Sequence, residues 1–293
     1  MSAPHLLVFG FGYSAAFLAR RLAPKGWRIS GTMRRLDGAA AIEAAGATPL
    51  LVTAAGIRDA DRVLSSVTHI LAAAPPGESG DPLLALHGDL LQTPPPKLRW
   101  TGYLSTTGVY GDAGGAWVDE GAPLAPVHER GRRRAAAEQA WADVSEYTGA
   151  PAVIFRLPGI YGPGRSAFDQ LRAGTAKRLV KPGQVFSRIH VEDLAAAIEA
   201  ALALEGGTVL NIADDEPAPP QDVVTHAARL LGVAPPPEED FEAARPRLSA
   251  MALEFYGANR RISNARMKAE LGIAPRYPSY REGLAAILAA EGH

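Results

Sequence analysis

His5-Leu6-Leu7-Val8-Phe9-Gly10-Phe11-Gly12-Tyr13-Ser14-Ala15 is the stretch on which the reading of the whole chain turns. A short apolar run meets a pair of glycines, and a helical period begins directly after them, with Ala15, Leu18, Ala19 and Leu22 at i, i+3, i+4 and i+7. The run is too short for a helix and shows no polar alternation, so it reads as a strand buried on both faces. The same pattern recurs at Trp27–Thr32, Thr48–Val52, His69–Ala73, Trp100–Ser105 and Ala152–Leu157, with helical segments between. Strand, helix, strand units of this length close by right-handed crossovers, so the expected fold class is α/β, a doubly wound parallel sheet. Ligands of such sheets sit at the carboxyl ends of the strands, which directs attention to the residues just after each apolar run.

Beyond about Ile160 the pattern changes. Pro and Gly become frequent, and helices at Leu194–Leu204, Val223–Leu231 and Arg281–Ala290 are separated by the Pro-rich stretch Asp214–Pro220. Residues 1–161 are therefore expected to form a dinucleotide-binding Rossmann domain, with 186–213 returning to it. Residues 162–185 and 214–293 are expected to form a smaller substrate-binding region. Gly162-Pro163-Gly164 and Ala213–Pro220 are the candidate hinges, and Pro94-Pro95-Pro96 and Pro235-Pro236-Pro237 read as stiff loop elements.

Composition narrows the class. The chain has 293 residues, 30 Lys+Arg against 31 Asp+Glu for a net charge of −1, 47% hydrophobic residues and no cysteine. That is enough interior for a real core, and it excludes disorder as the main state, disulfides, thiolate metal sites and a cysteine nucleophile. A near-neutral chain argues against nucleic acid as a partner, since phosphate-backbone binding needs many cations spread over a surface. No apolar run approaches the ~20 residues of a membrane span, so neither a membrane partner nor an anchor is expected and a cytoplasmic location is the default. The seven histidines show no ligand spacing, and no metal site is expected.

Gly10-Phe11-Gly12-Tyr13-Ser14-Ala15 fits GxGxxA between a strand and a helix. The first Gly permits the bend, the second lets backbone approach a pyrophosphate, and the small third residue packs helix on strand, with helix-terminal N–H groups facing the phosphates. The second strand ends Gly31-Thr32-Met33-Arg34-Arg35 with no carboxylate for an adenosine ribose. Guanidinium groups there suit a 2′-phosphate, so NADP is the expected cofactor. NAD stays open if Asp37 serves the ribose. Ala73, Ala74 and Pro158, at or just after the ends of apolar runs, complete the candidate cofactor contacts.

Four further motifs stand in order: Leu104-Ser105-Thr106-Thr107-Gly108-Val109-Tyr110-Gly111, Arg156-Leu157-Pro158-Gly159-Ile160-Tyr161-Gly162-Pro163-Gly164, Ile189-His190-Val191-Glu192-Asp193-Leu194 and Asn211-Ile212. Together they resemble the extended short-chain dehydrogenase/reductases, the NAD-dependent epimerase/dehydratase family. The stretch Arg260–Gly283 resembles that family's C-terminal region more loosely. The resemblance implies hydride exchange at a sugar-like carbon by way of a Ser/Thr, a Tyr and a Lys, and it assigns the hydroxyl role to Thr106. Here the sequence departs from the family: counting back from Glu138 puts Arg134 at the Lys position and Arg130 at the Tyr position. No tyrosine lies between Tyr110 and Tyr147 to restore the pair. Arginine can replace a lysine as cation and ribose donor, but its pKa above ~12 bars it from exchanging protons near neutrality.

The candidate catalytic residues are therefore Thr106, Arg130 and Arg134, with Arg130 free to polarise a carbonyl or clamp a carboxylate or phosphate. His128, Glu129 and Tyr110 are the alternative proton sources, each with a plain reading as loop or packing residue, and His190 reads as a structural hydrogen-bonder. A second basic stretch, Arg165, Arg172, Lys177, Arg178 and Lys181, suits either a phosphorylated or nucleotide-linked small-molecule substrate or ordinary surface charge. Two functions follow: an atypical NADP(H)-dependent oxidoreductase, epimerase or dehydratase, or a non-catalytic NADP(H)-binding sensor. A homodimer is compatible with either, as family members often pair through two helices.

Overall fold

The computed structural model describes residues 3–88 and 93–292. Along the chain, β1 (His5–Phe9), α1 (Tyr13–Leu22), β2 (Arg28–Met33), α2 (Ala39–Ala44), β3 (Thr48–Thr53), β4 (Gly56–Ile57), α3 (Ala60–Leu64), β5 (His69–Ala72) and α4 (Pro82–Leu86) lead to β6 (Trp100–Thr106). There follow β7 (Trp117–Val118), α5 (Glu129–Thr148), β8 (Ala152–Leu157), β9 (Gly159–Tyr161), α6 (Ala167–Arg172), β10 (Arg178–Val180), β11 (Arg188–His190), α7 (Val191–Ala201) and β12 (Thr208–Asn211). The chain closes with α8 (Pro220–Leu230), β13 (Glu238–Asp240), α9 (Phe241–Ala244), α10 (Ala250–Tyr256), β14 (Arg261–Ile262), α11 (Ala265–Leu271) and α12 (Tyr280–Ala290).

The main sheet has the order β12-β8-β6-β5-β1-β2-β3-β4. β1, β2, β3, β5 and β6 pair in parallel, and β4 turns back antiparallel on β3. Strand order runs outward in both directions from the β1/β5 pair, which makes the crevice at their carboxyl ends the topological switch point. The apolar strands expected from sequence are all present. β1 is buried at every residue because helices cover both faces of a parallel sheet. α1 buries Ala15, Leu18, Ala19 and Leu22, the stripe that its sequence period gave.

Two compact units emerge. The first holds 1–109, 129–156 and 194–210, and the second holds 110–128, 157–193 and 211–293. The sequence division differs from this in assigning 110–128 and 186–193 to the sheet domain. Where the sequence places breaks at 161/162 and 213/214, the units divide at 156/157 and 210/211, near the ends of β8 and β12, with further divisions at 109/110, 128/129 and 193/194. Gly162–Arg165 is instead a tight turn closed by two backbone hydrogen bonds of 3.2 and 3.0 Å, and Ala218 is bridged to Phe186.

The core of the first unit gathers Leu7, Phe9, Ile70, Tyr103, Trp141 and Ile154. At the amino ends of its strands His5 joins three segments: Nδ1 lies 2.9 Å from Ser66 Oγ and Nε2 lies 2.8 Å from Ser30 Oγ. The second unit packs β9, α6, α8 and α12 around Tyr161, Phe168, Ala227, Tyr280, Leu284 and Ile287. Its strands pair two by two in parallel: β9 with β11, β10 with β13 and β7 with β14. No helix among the described residues is long and apolar enough to cross a membrane.

Candidate functional site

The glycine loop is built by close contacts on one side and open space on the other. Gly10 has φ +91°, and a Cβ there would stand 2.6 Å from the Ala74 nitrogen, so the turn requires glycine. Ala73 N and Ala74 N both donate to Phe9 O, at 2.8 and 3.0 Å, which bends the exit of β5 against Gly10. Gly10 N donates to Thr32 Oγ1 at 2.7 Å and Phe11 N to Thr32 O at 3.1 Å, while the Phe11 ring fills the space above Gly31. These bonds fasten the loop to the end of β2.

Gly12, by contrast, is exposed, and a Cβ there would meet nothing within 4 Å. It caps α1 without any side-chain hydrogen bond, so the N-cap itself leaves the backbone N–H groups at the positive end of the helix uncapped. A glycine facing open space at an uncapped ten-residue helix is the shape a phosphate-bearing ligand needs, and the residues present fit a dinucleotide. Past β2, Arg34 and Arg35 are exposed. Arg35 is engaged with Asp37 at 3.0 Å, and Arg34 has no ion-pair partner among the described residues. The carboxylate that could have served a ribose is therefore tied to an arginine.

At the carboxyl end of β6, Thr106 Oγ1 accepts a 3.1 Å hydrogen bond from Gly108 N. A hydroxyl that accepts from backbone on one side keeps its own hydrogen to donate on another. The first turns of α5 carry the arginine row. Glu129 is engaged by Arg132 and Arg133, both at 3.0 Å, and Arg133 also reaches Glu78 in the loop after β5 at 3.8 Å. The two arginines beside it hold the Glu129 carboxyl below the usual carboxylate range. Arg130 is exposed and has no ion-pair partner among the described residues. Arg134 turns into the protein: Nη1 donates to Leu104 O and, at 3.2 Å, to the Tyr103 hydroxyl, with the guanidinium 5.6 Å from the Tyr103 ring.

Sequence reasoning gave no role to two buried acids of the same unit. Asp81 caps α4 by accepting from Leu83 N at 2.9 Å and Leu84 N at 3.2 Å, and burial pushes its carboxyl up while those bonds, the Trp141 indole and Arg134 pull it back. Glu138, four residues past Arg134, accepts from Ser105 Oγ at 2.5 Å and from Arg156 Nη2 at 2.7 Å and Nε at 3.1 Å. Tyr103 between them is driven up to about 12 by burial, against the pull of Arg134.

Gly10–Ala15, Arg34, Arg35, Ala73, Ala74, Thr106, Arg130 and Arg134 all belong to the first unit, whereas Pro158 belongs to the second. In the second unit the Tyr110 hydroxyl donates to Asn211 Oδ1 at 2.7 Å, and Asn211 N donates to Glu120 Oε1 at 2.7 Å. His190 accepts from Glu192 N at 3.3 Å, and its ring packs 4.2 Å from that of Tyr277 and 5.2 Å from that of Tyr161. Burial lowers it to about 4, so it stays neutral as a structural hydrogen-bonder. Of the second basic stretch, Arg172 pairs with Glu291, Arg178 with Glu238, and Lys181 donates to Tyr256 O at 2.5 Å.

Residues 101–213 match the model of the NAD dependent epimerase/dehydratase family. Protein YeeZ of Escherichia coli (strain K12) is 30% identical over 285 residues, covering 92% of this chain and 95% of that protein. The 3-diazoavenalumate denitrifying reductase of a Streptomyces species is 36% identical over 139 residues, so the match spans 45% of each protein. Among solved structures, a functionally unknown conserved protein from Silicibacter pomeroyi DSS is 49% identical, with a TM-score of 0.91 and coverage of 98% and 99%. The dTDP-glucose 4,6-dehydratase of Bacillus anthracis str. Ames, in complex with NAD, has a TM-score of 0.78 at 18% identity over 98% and 96% of the chains, a likeness of fold.

Proposed function

Because the chain belongs to the NAD dependent epimerase/dehydratase family, we propose that it binds NADP(H) and works as an oxidoreductase on a small anionic substrate. The substrate's reacting group is a carbonyl or hydroxyl on a sugar-like or nucleotide-linked frame. The observation that carries this reading is the open face of Gly12 at the start of α1, with the exposed guanidinium of Arg34, which has no ion-pair partner among the described residues, past the end of β2. Gly12 and the first turn of α1 would take the pyrophosphate, and Arg34 the 2′-phosphate, through charge-assisted hydrogen bonds. When bound, the nicotinamide supplies or accepts a hydride. Thr106 donates its hydroxyl hydrogen to the substrate oxygen, and its acceptor bond from Gly108 N fixes the direction of that donation. Arg130 holds the anionic group of the substrate. That the Streptomyces relative is a reductase supports reduction over epimerisation within this frame.

Fluorescence titration of the protein with NADPH and NADH, repeated on Arg34→Ala, tests the reading. NADPH is expected to bind more tightly, and the preference should fall by about tenfold or more in the variant, the weight of a charge-assisted contact. Failure to bind either nucleotide would overturn the proposal. Tight binding without turnover on any carbonyl substrate would instead make the chain an NADP(H) sensor.

A further inference from the structure

Two successive turns of α5 grip three successive residues of β6. Arg134 holds the Tyr103 hydroxyl and the Leu104 carbonyl, and Glu138, one turn on, holds the Ser105 hydroxyl. Tyr103 and Ser105 stand on the same face of the strand by the two-residue alternation, and the next residue is Thr106. Glu138 is in turn locked by two nitrogens of Arg156, the penultimate residue of β8, the strand beside β6. Both charged side chains are 7% exposed, and Ser105 is buried with them.

A buried ion pair is weak as a source of stability, because taking two charges from water offsets their attraction, and an apolar pair of similar volume packs as well. What the ionic pair has and an apolar pair lacks is direction. The Glu138 carboxylate can satisfy Ser105 and Arg156 together in one register only, so β6 cannot slide or rotate without leaving a buried charge short of a partner.

We propose that Glu138 and Arg156, acting through Ser105, form a positioning pair that sets Thr106 at the end of β6 against the first turns of α5. The proposal rests on the role given to Thr106 above and names the device that holds it. All three are buried, so the pair acts through the strand.

The turn that Thr106 makes supplies a readout independent of cofactor and substrate, the exchange of the Gly108 amide that bonds to Thr106 Oγ1. In Ser105→Ala, which removes the link to the strand and leaves the ion pair intact, Gly108 exchange should rise by about tenfold or more as the turn opens locally. The Val8 and Leu71 amides should stay protected, while Tm should fall because the buried Glu138 carboxylate loses one donor. Ser105→Thr, which keeps the hydroxyl, should restore Gly108 protection. The apolar double variant Glu138→Leu with Arg156→Met should keep the Tm near that of the parent, yet exchange Gly108 as fast as Ser105→Ala. Gly108 protection that stays at the parent level in Ser105→Ala, or that merely tracks Tm across the set, would overturn the proposal. Should the double variant not fold, the Ser105 pair of variants decides alone. Loss of NADPH binding in the titration above would sink the functional reading and leave this one standing, so the two fail separately.

Discussion

Gly10 and Gly12 lie two residues apart and are needed for opposite reasons. Gly10 is held by the protein: its φ of +91° and the 2.6 Å approach to Ala74 N leave no room for a methyl group. Gly10→Ala should cost about 1–3 kcal/mol of stability in urea unfolding, from strain and overpacking. Gly12 has an extended backbone, φ −121° and ψ −158°, that alanine adopts freely, and its Cβ would meet nothing. Gly12→Ala should leave urea unfolding unchanged and weaken NADPH by about tenfold or more, because the methyl occupies the approach of the pyrophosphate. Unchanged affinity would show that no ligand uses this face. Such local requirements are legible in a sequence, since the strand, the turn and the helix are contiguous. The polar partners were not. Glu138 meets Ser105 and Arg156 at separations of 33 and 18 residues, and nothing in an arginine's neighbours along the chain tells whether it faces solvent like Arg130 or a strand carbonyl like Arg134.

Among elements, those with a continuous period or a doubly buried apolar run were readable, β1 to β3, β5, β6, β8, α1, α7, α8 and α12, with ends shifted by a few residues. α7 starts at Val191 rather than Leu194 because the His-Val-Glu-Asp segment already forms its first turn. β7, β9, β10, β13 and β14 are two or three residues long, too short to carry a period, and they exist only because a distant strand pairs with each. Tertiary contact also decides the cost of change inside a readable helix. Gly283 lies in α12, where alanine would ordinarily gain about 1 kcal/mol. A Cβ there would stand 2.0 Å from the Tyr161 hydroxyl, which donates to Ser279 O at 3.2 Å across the cap of the same helix. Gly283→Ala should therefore destabilise, by about 1–3 kcal/mol in urea unfolding, and Tyr161→Phe in the same chain should recover part of the loss. A stabilised single variant would mean that α12 shifts outward freely and that the contact does not hold it.

At the scale of the whole molecule, a net charge of −1 leaves little long-range repulsion, so a few buried groups set how stability depends on pH. Burial lowers His5, His69 and His190 each to about 4, with Arg28, Arg99 and Arg276 respectively adding to the effect. The unfolded chain takes up their protons near 6.5, so stability falls as pH drops from 6.5 to about 4. Asp214 has the opposite sign. It is 1% exposed, and burial raises it to about 8 although Arg188 and the Glu216 amide oppose the shift. Its contribution is complete below 3.8 and is lost as pH rises to about 8, because the unfolded chain gives up that proton and the folded chain keeps it. Between 4 and 6.5 the histidines, with His226 also lowered by burial, outweigh Asp214, and above 6.5 Asp214 carries the loss on to about 8, Asp81 and Asp193 being raised by burial in the same direction, so Tm should peak near pH 6.5. Asp214→Asn should flatten the limb above the peak. His69→Phe keeps the ring contacts of 4.7 Å to Trp27 and 6.1 Å to Trp100 and should make the acid limb shallower. Calorimetric scans from pH 4 to 9 on the three proteins decide the matter: an Asp214→Asn profile parallel to the parent between 6.5 and 8 would mean that this carboxyl finds a partner in solution and is already ionised in the fold.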